Sequence, residues 1–149
     1  MKEVLEAIKE VKARLKKTGN IIIGHNDCWA LVLVYKQLVD HSYQQPKWTR
    51  QTFFSNKHFV LEMMKGTKTR SLQPAMDRFI VQLGLQKIEN LEDVREGDLI
   101  ARKTASGLNT SLVYGSNTEF FINERDMVVQ SDVLPLLDRT IVGIGRQQQ

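Results

Sequence analysis

Apolar residues recur at Val4, Leu5, Ile8, Val11 and Leu15, a spacing that gathers them on one helical face, with charges on the others. Lys16 and Lys17 lie where a helix C-terminus favours cations, and Gly19 suits a left-handed cap. The next segment, "IIIG", is short and β-branched; it fits a brief strand or the packed approach to a second helix. That helix is predicted to begin with Asn26 or Asp27 as its cap and to run from Cys28 to Val39. Trp29, Ala30, Leu31, Val32, Leu33, Val34, Tyr35, Leu38 and Val39 leave it almost no polar side. A helix of that kind belongs in the middle of a domain, so this segment is expected to be the core element.

A polar loop containing Pro46 follows, then a predicted helix from about Asn56 to Lys65, ended by Gly66. Another is predicted from about Pro74 to Gln82, with Pro in its first turn and Gly84 as its stop. From Leu85 the pattern shortens to that of strands. "LQKI" and "DLIARK" flank an acidic turn, "TSLVYG" and "EFFIN" enclose a hairpin turn at "GSNT", and "RDMVVQSD" and "TIVGIGR" follow. "SDVLPLLD" reads as a short helical or looped connector. Helices first and a meander of strands second predict an α+β fold, with a central buried helix packed on an antiparallel sheet of about five strands. The reading is one domain over 1–146: an N-terminal helix (1–20), a helical insert (41–84) and the sheet (85–146). The terminal 147–149 is read as a disordered tail.

Composition changes this picture little. A chain of 149 residues, 42% hydrophobic and 26% charged, can bury a core unaided. No apolar run approaches the roughly 18 residues of a membrane span, and the charged N-terminus is unlike a signal peptide. One cysteine excludes an internal disulfide framework and a cysteine-based zinc site, and no cofactor is expected. The net charge of +4 is unevenly spread: His41 to Arg78 carries seven basic and two acidic residues, whereas Phe79 to the end carries seven and ten. Such asymmetry can mark an acidic partner or a phosphate backbone, but the simpler reading is two solvated faces of opposite sign. No nucleic-acid-binding motif accompanies it, so no specific nucleic-acid partner is expected.

The lone thiol carries the candidate chemistry. Cys28 is predicted at the first turn of the buried helix, where unpaired backbone N–H groups stabilise a thiolate and sharpen a nucleophile. The competing reading is a small buried side chain that packs as a hydrophobe.

Around that residue, "NDCWALV" resembles the Asp-Cys-x-x-Leu-Val signature of NlpC-type, papain-like cysteine peptidases, particularly the branch found in phage tail-assembly proteins. "VREGDLIARK" is similar to the family's Pro-Gly-Asp-Leu strand, and "NTSLVYGSNTEFFIN" lies where members carry Asn-His, a strand ending in Tyr, a turn and another strand. The order holds from about Ile23 to Arg146. The resemblance places Cys28 at the nucleophile position and Asn123 near the orienting position. Where the family has its base histidine, this chain has Thr110. A threonine hydroxyl takes no proton from a thiol at neutral pH, and general-base assistance is worth roughly 10²–10⁴ in rate.

Of the three histidines, His25 and His58 are the candidate substitutes. His25 precedes Cys28 by three residues and is the first candidate; His58 lies in the insert; His41 falls beyond the far end of the helix, about 20 Å away. Asp98 is read as a turn residue and Trp29 as a core or cleft-wall aromatic. The resemblance therefore implies a catalytically degenerate tail-tip or tail-assembly component, contacting other phage tail proteins, in the virion or in the host cytoplasm during assembly. The alternative is an active cysteine hydrolase that cleaves peptidoglycan amide bonds with Cys28 as nucleophile. A small nucleic-acid-binding protein is the third reading.

Overall fold

The computed structural model describes residues 2–105, 107–115, 118–122, 128–132 and 140–148, with the backbone alone for 121–122 and 128–132. Helix α1 spans Lys2–Thr18 and buries Val4, Ala7, Ile8, Val11 and Leu15. Leu5, expected in that stripe, is 45% exposed, and Ala7 is buried at the stripe's other edge.

That neighbour is α2, Cys28–Val39. Asp27 is its cap, accepting the Ala30 N–H at 3.1 Å and the Gly24 N–H at 2.9 Å through Oδ1. Asn26 does a different job. It accepts from the Ile22 N–H and donates to Thr18 Oγ1 and the Asn20 carbonyl, tying the end of α1 to the start of α2. Of "IIIG", Ile23 forms an isolated antiparallel bridge to Phe53.

The insert adds a 3-10 turn at Lys47–Thr49, α3 at Asn56–Thr67 and α4 at Leu72–Gln82. Gly66 does not end α3; it lies inside the helix, and Lys68 takes the left-handed capping conformation at φ 57°. The reason for the glycine is contact. A Cβ there would lie 2.4 Å from the Trp48 ring. Gly84, at φ 69°, does stand just past the end of α4. Trp48 joins Trp29, Phe53, Phe59 and Phe79 in an aromatic cluster, with Trp29 and Phe59 stacked at 4.1 Å. This cluster fastens the insert to the first turn of α2.

Among the described residues six strands follow: β1 Leu85–Lys87, β2 Leu99–Thr104, β3 Gly107–Tyr114, β4 Thr118–Ile122, β5 Val128–Asp132 and β6 Ile141–Gln147. They form one antiparallel sheet in the order β1-β6-β2-β3-β4-β5. The fold is α+β. Helices α2, α3 and α4 pack on β3, β6 and β1, and α1 packs on α2. β4 pairs with β3 from Leu112 to Tyr114, and α2 and α3 pack against β3.

Two ion pairs pin the sheet. Asp98, 1% exposed at the start of β2, receives Arg146 of β6 on both carboxylate oxygens, at 3.0 and 2.9 Å. Glu119 of β4 is gripped by Arg102 of β2 and by the Ser111 hydroxyl of β3. The reading of 147–149 as a tail is corrected at Gln147, which pairs with Leu85 and whose side chain accepts from the buried Lys36 ammonium. Of the connector expected at 131–138, Ser131 and Asp132 belong to β5, and 133–138 lies outside the described residues. No helix among the described residues is long and apolar enough to cross a membrane.

Candidate functional site around Cys28

Cys28 opens α2 and is only 4% exposed, packed in the main core with Phe53, Phe59 and Leu108. Facing it is the first half of β3. The Thr110 hydroxyl donates to the Cys28 carbonyl at 2.9 Å, and the Cys28 sulfur lies 3.9 Å from Asn109 Oδ1, a long and weak contact for a thiol. Thr110 is itself buried, whereas Asn109 is exposed. A pair separated by 82 positions thus meets where the helix start approaches the strand.

The electrostatics oppose activation. Burial, reinforced by the negative charge of Asp27, pushes the Cys28 thiol from 9.0 up to about 12, despite the lowering contribution of hydrogen bonds from Thr110. The expectation that the helix terminus would favour thiolate is therefore reversed, because desolvation outweighs it. Asp27 is perturbed in the same sense. Burial raises its carboxyl from 3.8 to about 6, against the N–H groups of Gly24 and Ala30 that favour its charged form.

No hydrogen bond between described residues joins a histidine to the Cys28 sulfur. His25 turns its carbonyl to Arg14 Nη1 at 3.0 Å and lines a separate cavity on the flank of α2. His58 accepts the Phe54 N–H on Nδ1, stacks on the Phe54 ring and holds Nε2 3.6 Å from Glu62. His41 is exposed beyond the C-terminus of α2. Asn123, the proposed orienting residue, lies outside the described residues.

The structure brings together Cys28, Thr110, Asn109 and Asp27. Asn109 was not singled out by sequence, although it directly precedes Thr110, where the resemblance expects a base histidine. Trp29 is fully buried with its indole N–H unpartnered among the described residues, and serves as an aromatic anchor of the core. Among the described residues no group of three His, Cys, Asp or Glu side chains could hold a metal ion. What remains chemically is a thiol held in its neutral form, beside a hydroxyl that is engaged with backbone. No known protein-family model matches the chain, and neither does any curated protein sequence.

Proposed function

We propose that this chain is a catalytically degenerate domain of NlpC-like layout that serves as a structural component of a phage tail tip or of its assembly. The observation that carries the reading is the Thr110–Cys28 contact. The strand position facing the helix start holds a hydroxyl spent on the Cys28 carbonyl, where a cysteine hydrolase needs an imidazole. The buried thiol supports the same conclusion, since a nucleophile must reach its substrate's carbonyl. The tail assignment rests on the motif resemblance of "NDCWALV", "VREGDLIARK" and "NTSLVYGSNTEFFIN". The basic insert would offer a docking face to an acidic neighbouring subunit.

The test has two arms. Purified protein incubated with muropeptides is expected to release no product, and Cys28→Ala is expected to support tail assembly at the level of the parent. Muropeptide turnover that disappears in Cys28→Ala would overturn the structural reading in favour of the hydrolase. So would a folded Cys28→Ala protein that fails to assemble. Absence of the chain from purified tails and from tail-assembly intermediates would remove the tail assignment while leaving the inert thiol unaffected.

A further inference from the structure

An open concave site of about 380 Å³ lies on the flank of α2, and Cys28 is not among its lining residues. That is within the range of small-ligand pockets. Val34 of α2, partly exposed over the buried Ala30 and Leu33, gives it an apolar spot on a mostly polar floor, and its rim carries Arg14, His25 and Arg50. Among the described residues no acidic side chain lines it. Glu10 meets Arg14 Nε at 3.2 Å from outside the lining, and Arg14 Nη1 is committed to the His25 carbonyl, so that guanidinium is held in place across the cavity wall.

The walls are fixed in advance. The Ile23–Phe53 bridge, closed by the Phe53 N–H on the Ile23 carbonyl at 3.0 Å, joins the two loops that form them. Gly24, at φ 92°, lets the loops touch; a Cβ there would lie 2.7 Å from the Gln51 carbonyl oxygen. On the opposing loop, the Gln51 side chain is tied to the Trp48 carbonyl and Thr49 to the Pro46 carbonyl. A site with an apolar spot, a cationic rim and preset walls is built for a ligand with two unlike ends.

We infer that this cavity binds a small oxyanion with a short apolar tail, its head group held by Arg14 and Arg50 and its tail laid on Val34. Arg50 and the part of the Arg14 guanidinium not engaged by Glu10 and His25 supply the charge-assisted hydrogen bonds that a carboxylate or phosphate accepts, and the apolar spot at Val34 adds affinity in proportion to the apolar area covered. This inference does not depend on whether Cys28 is inert.

The experiment is an amide-resolved NMR titration of the full chain with butyl phosphate and with pentanoate, using 1-butanol as the neutral control. Saturable shifts are expected at Gly24, His25 and Gln51 with the anions and not with the alcohol. Tighter binding of butyl phosphate identifies a phosphate site, and equal or tighter binding of pentanoate a carboxylate site. Arg50→Gln is expected to weaken binding about tenfold or more, the loss of one charge-assisted contact. Arg14→Gln should do the same. Should Arg14→Gln fail to fold, Arg50→Gln decides alone, because Arg50 lies on an exposed turn. The inference is overturned by shifts that do not saturate by ~20 mM, by equal binding of 1-butanol, or by an Arg50→Gln protein that binds as the parent does.

Discussion

At Cys28, opposing influences act on one proton, and their magnitudes decide the outcome. A helix N-terminus favours an anion by about 0.3–1 kcal/mol, and by ~2 kcal/mol at best. Burial and the neighbouring Asp27 carboxylate raise the thiol from 9.0 to about 12, which at 1.36 kcal/mol per pKa unit is on the order of 4 kcal/mol the other way. Asp27 itself offers a clean pH experiment. Its carboxyl is raised to about 6 in the folded protein, so the native state binds the proton more readily than the unfolded chain does. Stability contributed by this residue is therefore full below pH ~4, declines between pH ~4 and ~6, and stays level above. Asp27→Asn keeps an oxygen for the Gly24 and Ala30 N–H groups and removes the titration. In denaturant unfolding the variant should match the parent near pH 3.5 and exceed it at pH 7.5, by on the order of 3 kcal/mol. A variant less stable than the parent at pH 7.5 would show that the charged carboxylate is favoured where it sits.

Among the elements, α3 separates helix propensity from packing. Glycine inside a helix costs about 1 kcal/mol relative to alanine, so Gly66→Ala would stabilise an isolated α3. Here the new methyl would meet the Trp48 ring at 2.4 Å, on an indole held by Gln82 at 3.0 Å and by its aromatic neighbours. Overpacking costs roughly 1–3 kcal/mol and should win. Gly66→Ala is expected to lower the unfolding free energy despite the better propensity, with the change visible in Trp fluorescence. The same residue shows where periodicity stops being informative. The extents of α1 and α2 follow from local spacing and a capping side chain, so both are legible in the sequence. Gly66 looks like a helix stop because its partner, Trp48, is distant in sequence. Gln147 likewise looks like the start of a polar tail until its pairing with Leu85 and its contact with Lys36 are seen.

For the molecule as a whole, the order of helices before strands was sufficient to predict the α+β layout, because each element announces itself locally. The site was less legible. Cys28 and Thr110 could be placed opposite one another only through motif resemblance, while the burial that neutralises the thiol depends on a shared core that draws Phe53 from a loop, Phe59 from α3 and Leu108 from β3. The flank cavity was illegible for a similar reason. Arg14 belongs to a helix whose charges look uniformly solvated, and nothing local relates it to Arg50. The central claim, that the fold keeps Cys28 neutral and enclosed, is tested most directly by the pH dependence of its alkylation by iodoacetamide in the native protein. The account predicts slow modification at neutral pH, with an apparent thiol pKa well above the ordinary ~8.5 and fast reaction only once the chain is unfolded. Rapid modification of the folded protein with an apparent pKa below that reference would contradict it.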